Sequence, residues 1–294
     1  MMIAVSGANG FTGRFVCAEL QRRHQVFVAV LRPGTDDSWM KVRDIPVRFA
    51  DLNDVKQLAI ALRGCSVLLN VASIGFGAAP FIVRACELVG LKRAVFVSTT
   101  AIFTKLNVRS KAVRQAAEAV ITSSELDFTI LRPTMIYGTP GDRNMIRLVH
   151  RLDCFPVLPV FGNGRSLQQP VHVSDVAWAV VAAAMTKAAI CRSFNLSGAT
   201  AITFNEVVRL TALALGKRVY RLHLRSGPIV ACLQMLERLN IKLPIKSEQI
   251  LRLNENKSFD HEEASSVFCY DPMNFAQGII KEVQLFRSGL EAFE

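Results

Sequence analysis

The stretch STTAIFTKLNVRSK, Ser98 to Lys111, opens on three consecutive hydroxyls and ends on a lysine that starts an alanine-rich amphipathic segment. Such a set suits an enzyme that moves hydride and proton together, yet the stretch holds no tyrosine and no histidine to handle the proton. Asparagine donates hydrogen bonds but cannot take up a proton near neutral pH.

A second motif, GANGFTG, places Gly7, Gly10 and Gly13 after an apolar run and at the start of a helical pattern. Glycine permits the tight turn and a close approach of backbone to a pyrophosphate, and a helix N-terminus offers unpaired N–H groups with a partial positive charge. The spacing predicts dinucleotide binding by Gly7, Asn9, Gly10, Phe11, Thr12 and Gly13.

The second apolar run, VFVAVLRPG, ends in Arg32 rather than the acid that would take a ribose 2′-hydroxyl. Arg32, with Arg14 just after the glycine turn, suits a 2′-phosphate and favours NADP over NAD, although Asp36 and Asp37 follow closely. Asp51 and Leu52 are candidates for the adenine edge, Asp51 equally for a helix cap. Val71 and Ala72, closing the fourth run, complete that side of the expected cofactor site.

These features, with VSTT after a later strand, LRPTMIYG after the next and VHVSDVAWAV in the second half, resemble the extended short-chain dehydrogenase/reductase superfamily, and within it the NAD-dependent epimerase/dehydratase proteins. The resemblance covers nearly the whole chain. It implies an α/β fold, a Rossmann-type doubly wound parallel sheet with a smaller C-terminal substrate domain. It also implies a catalytic set of a Ser or Thr, a Tyr and a Lys, the last two spaced Tyr-x-x-x-Lys. Carried over, Thr100 takes the hydroxyl position with Ser98 and Thr99 beside it, and Lys111 takes the lysine position as a ribose ligand. Asn107 then stands where the tyrosine belongs. The tyrosines, 137, 220 and 270, have Gly141, Leu224 and Asn274 four places on, so no Tyr-x-x-x-Lys exists. Tyr137 is a substitute proton carrier or, more simply, a packed residue at the domain junction. Leu131 to Thr134 are expected along the nicotinamide, with Pro133 ending the strand.

The elements that must position these residues alternate β-branched runs with helical patterns, as successive β-α-β units do. Strands are predicted at Ile3–Ser6, Val26–Leu31, Val47–Ala50, Val67–Val71, Ala94–Ser98 and Phe128–Leu131, and helices near Gly13–Arg23, Asp54–Leu62, Pro80–Val89 and Ser110–Thr122. Runs such as VLLNVA lack polar alternation, as expected of strands covered on both faces. After Tyr137 the turn-rich GTPGDRN marks a boundary. The expected division is a cofactor domain over 1–140, to which segments near 170–198 return, and a smaller substrate or partner domain over 141–294. In PVHVSDVA, Ser174 or Asp175 is the expected helix cap. GNGRS offers Arg165 as a phosphate contact or an ordinary turn.

The chain has 294 residues, 51% hydrophobic and 20% charged, as a folded protein with a large core has. Net charge is +11, but no basic run exceeds two residues, which speaks against nucleic acid and for anionic small ligands. The excess of bases over Lys217 to Lys257 reads most simply as a solvated surface. No uninterrupted apolar run reaches the roughly 18 to 20 residues of a membrane span, and MMIAV runs straight into the glycine turn as a first strand rather than a signal peptide, so cytoplasmic residence is expected. GPIVACLQMLERLNIKLP suggests core or oligomer packing, a homodimer contact for instance, or else a peripheral membrane or partner contact. The seven cysteines lack C-x-x-C spacing and are read as buried reduced thiols. His24, His150, His172, His223 and His261 make no ligand pattern, so no metal is expected.

Two readings follow. One is an NAD(P)-dependent oxidoreductase or epimerase-like enzyme acting on a nucleotide sugar or similar anionic alcohol or carbonyl, with altered proton chemistry. The other is a non-catalytic NAD(P)-binding regulator or an assembly subunit.

Overall fold

Strands with an apolar residue at nearly every position have nowhere to expose a face, so they must sit between two layers of helices. In the computed structural model, which describes residues 1–106, 109–239 and 247–289, they do so. The order is β1 Ile3–Ser6, α1 Phe11–Arg22, β2 Phe27–Leu31, α2 Ser38–Val42, β3 Val47–Phe49, α3 Val55–Leu62, β4 Val67–Asn70, α4 Ala79–Leu88, β5 Arg93–Val97, α5 Arg109–Thr122 and β6 Asp127–Pro133. There follow β7 Ile136–Tyr137, α6 Met145–Cys154, β8 Val157–Phe161, β9 Leu167–Gln168, β10 Val171–His172, α7 Val173–Met185, β11 Arg192–Leu196, β12 Ile202–Thr203, α8 Phe204–Ala214, β13 Tyr220–Leu224, α9 Ser226–Arg238, α10 Ser247–Leu253, α11 Glu262–Phe268 and α12 Phe275–Ser288.

Seven strands form one sheet in the order β11-β6-β5-β4-β1-β2-β3, parallel at every pairing. All residues of β1, β2 and β4 are buried. Alternate side chains serve opposite layers: Ile3 and Val5 pack with Val16 and Leu20 of α1 and Val180 of α7, while Ala4 faces Leu58 and Leu62 of α3 and Ile82 of α4. The winding reverses between β1 and β4, and in such sheets ligands bind at the carboxyl ends beside that switch point. The glycine turn leaves β1 there.

The chain returns to this sheet late. Helix α7 lies against α1, and β11 adds to the edge beside β6 in register Phe194↔Leu131. A separate cluster joins α6, α8 and α12 through Val149, Val208 and Ile279, and it holds the far side of the cleft.

The six predicted strands and four helices appear with ends shifted by one or two residues. The first helix begins at Phe11, because Gly10 is extended and serves as its N-cap. Some expectations are corrected. The cap of α7 is His172, whose side chain accepts from Ser174 N at 3.3 Å; Asp175 instead accepts from Met273 N at 3.0 Å. Only Cys17 and Cys86 are buried, Cys65 is half-buried, and Cys154, Cys191, Cys232 and Cys269 are exposed. Helix α9 has no buried residue among those described, so it does not pack into the core.

Candidate active site

The glycine turn is built by close contact. Gly7 has φ +70, and a Cβ there would meet Ala72 N at 2.5 Å, while one on Gly13 would run into the Gly7 carbonyl. Helix α1 therefore rides directly on the end of β1. Its N-cap Gly10 brings no side chain, and the first intrahelical bond is from Arg14 N to Gly10 O. The N–H groups of Phe11, Thr12 and Gly13 are left for an outside acceptor. This cradle fits a pyrophosphate.

Those residues open into a cavity of about 1570 Å³. Along its cofactor end the structure brings together Gly7, Asn9, Gly10, Phe11, Thr12, Gly13, Arg32, Asp51, Leu52, Val71 and Ala72, which sequence spacing had singled out. The end of β2 presents Arg32 and Thr35 to the cavity, without Asp36 or Asp37. Asp36 accepts from Ser38 N and Oγ at 3.0 and 2.8 Å, and Asp37 pairs with Lys41 at 2.8 Å. Arg14 is not in the lining; its Nε donates to Asn9 Oδ1 at 3.1 Å and its guanidinium lies over Trp39. Asp51 accepts from Asn53 N, whereas Asp54 caps α3 through Lys56 N and Gln57 N.

The hydroxyl stretch divides. Thr99 and Thr100 line the cavity, and Thr100 Oγ1 donates to the Pro133 carbonyl at 3.3 Å. Ser98 points elsewhere. Its hydroxyl donates to Glu118 at 2.5 Å, and Glu118, buried on α5, pairs with Arg132 at 2.6 Å. Arg132 in turn lies over the ring of Phe103. Leu131 belongs to the sheet core, so the lining after β6 is Thr134, Met135 and Ile136 rather than Leu131 and Pro133. Lys111 is outside the lining, its Nζ donating to the Thr104 carbonyl at 2.7 Å. Asn107 lies outside the described residues.

Tyr137 is fully buried, away from the cavity lining. Its ring packs on Phe275 and His172, and burial, with Asp175 and Glu282 adding to it, raises its pKa well above the usual phenol value. It is a packed residue, not a proton carrier for the cavity. His172 is held neutral, its pKa pushed down to about 4 by burial. Arg165 stands in a turn whose N–H bonds Asn163 Oδ1, outside the lining.

Sequence spacing missed the opposite wall. Arg143, Arg147 and Arg151 line it; Arg147 and Arg151, four apart, share one flank of α6, and Arg143 lies in the turn just before that helix. Arg252, Glu255, Lys257 and Phe259 line the cavity as well. Arg252 and Lys257 belong to the base-rich region read as solvated surface. The 254–259 segment is a strap pinned on both sides. Glu255 accepts from Thr104 Oγ1 at 2.7 Å and Lys105 N at 2.6 Å, Lys257 N donates to Leu167 O at 2.7 Å, and Phe259 packs on Phe103 at 5.7 Å. Cations at i, i+4, i+8 were visible beforehand; the strap, 151 residues from its anchor, was not.

The comparisons agree with this geometry. The family model described as NAD(P)H-binding matches residues 7–187. An uncharacterised protein of Mycobacterium tuberculosis is 28% identical over 224 residues, covering 74% of this chain and 23% of its own length. The Arabidopsis thaliana mitochondrial NADH dehydrogenase [ubiquinone] 1 alpha subcomplex subunit 9 is 25% identical over 231 residues, with 71% and 57% covered. The chain thus spans about a quarter and somewhat over half of these relatives. The UDP-glucose 4-epimerase of Thermotoga maritima, solved with UDP-glucose, superposes with a TM-score of 0.75 at 16% identity, over 99% of this chain and all of that one.

Proposed function

The chain belongs to the NAD(P)H-binding family and has the fold of the extended short-chain dehydrogenase/reductases, and from that premise we propose that it is an NAD(P)-dependent oxidoreductase or epimerase-like enzyme acting on an anionic alcohol or carbonyl, a nucleotide sugar being the best fit. The observation that carries this reading is one continuous cavity with a dinucleotide cradle at one end and Arg143, Arg147, Arg151, Arg252 and Lys257 at the other. A bound nicotinamide would supply hydride transfer. The chain's own residues would hold it through the N–H groups of Phe11 to Gly13. Arg32, lining the cavity while Asp36 and Asp37 do not, favours NADP.

The proposed roles keep Thr100 as a hydroxyl ligand of the reacting oxygen. Asn107 is retained as a hydrogen-bond donor in the absent tyrosine's place, and Lys111 supports the turn at Thr104. The cofactor half is assigned to 1–140 with the returning 170–198 segment, and the substrate half to 141–294. A cytoplasmic setting is proposed. Among the described residues no helix is long and apolar enough to cross a membrane; the exposed α9 leaves peripheral or homodimer contact as its role.

The test is a fluorescence titration with NADPH and NADH followed by turnover on UDP-glucose, UDP-glucuronate and UDP-N-acetylglucosamine. Saturable NADPH binding with sugar-dependent change in nicotinamide absorbance, or interconversion of the sugars, supports the reading. No binding of either cofactor would overturn it.

One observation favours a second reading, a cofactor-binding subunit without turnover: Lys111 Nζ is engaged by Thr104 O rather than presented to the cavity. The plant relative's name makes that protein a subunit of an NADH dehydrogenase [ubiquinone] subcomplex. Tight NADPH binding with no turnover and a stable co-purifying partner is its expected signature.

A further inference from the structure

The lining is notable for what can and cannot move a proton. Among the described lining residues there is no tyrosine, histidine or cysteine. Arginines do not give up their proton in proteins. Asp51 accepts from Asn53 N toward the adenine end, Asp142 accepts from Asn144 N at 2.7 Å and Ile146 N at 3.2 Å, and both oxygens of Glu255 are taken by Thr104 and Lys105. Lys257 is the lysine of the described lining, a cation with a proton it can give up. No hydrogen bond or ion pair engages its ammonium among the described residues, and its backbone is fixed to β9 by the bond to Leu167 O.

Its position is set by the strap. Glu255, two residues before it, binds the Thr104 end of the hydroxyl turn, and Phe259, two residues after it, packs on Phe103. Lys257 is thus carried by a strap tied to the turn that follows Thr100, and it lines the same cavity as Thr100 and the glycine cradle.

We propose that Lys257 is the proton-carrying residue of this cavity. The inference rests on the enzymatic reading above. In the reducing direction an N–H bond of the Lys257 ammonium breaks and an O–H bond forms at the substrate carbonyl oxygen, while the carbonyl carbon accepts hydride from a reduced nicotinamide and the carbonyl π electrons become the oxygen's new bonding pair. The neutral amine then takes a proton from water. Alcohol oxidation runs the same steps backward. Burial lowers the Lys257 ammonium below the usual lysine value; Glu255 opposes this and Arg252 adds to it. Arg143, Arg147 and Arg151 line the same cavity.

The test uses the full chain. Competitive acetylation with acetic anhydride from pH 6 to 11, read lysine by lysine by peptide mass spectrometry, should half-label Lys257 at a lower pH than the exposed Lys56 and Lys187. Labelling that tracks those two overturns the proposal. With any UDP-sugar that turns over, Lys257→Arg, which keeps charge but not a labile proton, should lower kcat on the order of 100-fold or more with KM changed less than threefold. A variant within threefold of the parent kcat also overturns it. If NADPH binds but no UDP-sugar reacts, the acetylation profile alone decides. Absence of NADPH binding sinks the enzymatic reading instead, and an ordinary Lys257 profile with NADPH bound sinks only this one.

Discussion

Thr104 Oγ1 donates to Glu255 Oε2 at 2.7 Å across 151 residues of chain. That bond ties the turn after β5, which carries Thr100, to the strap that carries Lys257. The same carboxylate takes the Lys105 N–H, so a single side chain satisfies two donors and sets where the cavity's far wall stands.

Replacing it should release the strap. In Glu255→Ala, the amides of Lys257 and Phe259, which now bond Leu167 O and Gln169 Oε1, should exchange with deuterium about tenfold faster or more, while β1 amides are unchanged. Hydrogen-exchange mass spectrometry measures this, and equal rates in variant and parent would refute the clamp.

Arg32 lines the cavity, and neither Asp36 nor Asp37 does. Arg32→Glu should weaken NADPH at least tenfold, about 1.4 kcal/mol, through loss of a charge-assisted bond and gain of repulsion, and leave NADH within roughly threefold. Fluorescence titration of both cofactors checks it; parallel losses would mean a damaged fold rather than a lost phosphate contact.

Glu118 and Arg132 form a mostly buried pair with Ser98 bonded to the same carboxylate. Removing one partner of such a pair leaves an uncompensated charge, so Glu118→Ala should cost about 3–5 kcal/mol. Calorimetric or urea unfolding reads the loss. A cost under about 1 kcal/mol would show that solvent reaches Arg132.

Glu282 is fully buried, and its pKa is pushed up to about 10 by burial, then by Asp142, against the Gly138 N–H that favours the charged form. It folds as a neutral acid. An unfolded glutamate ionises near its ordinary value of 4.5, so the stability this group contributes is full below that pH and is lost as pH rises toward about 10. Glu282→Gln should flatten that decline. His172 works oppositely: its pKa of about 4, against 6.5 unfolded, makes its contribution complete above 6.5 and lost as pH falls through about 4. Unfolding free energy measured from pH 4 to 10 should therefore peak between these limits, and an unchanged slope above pH 6 in Glu282→Gln would refute the first half.

The local elements and the cofactor cradle were legible in the sequence because each rests on near neighbours. Unbroken apolar runs such as VLLN dictate strands covered on both faces, and the spacing of Gly7, Gly10 and Gly13 dictates where backbone can approach backbone. The arginine at the end of β2 follows from the same local reasoning. Only the tertiary structure decided which side chains share the cavity. Ser98, Thr99 and Thr100 are adjacent, yet the first turns to Glu118 and the others to the cleft, because β5 ends at Val97 and Thr99 already caps the helical turn Thr100–Phe103, where strand alternation no longer holds. Tyr137, plausible as a proton carrier by position, is enclosed by Phe275 and α12. Arg252 and Lys257 read as surface charge, and become a cavity wall because a segment some 150 residues away folds back onto Thr104. Local periodicity carries no information on such long-range closure, which depends on how packed layers leave a gap and which loop fills it.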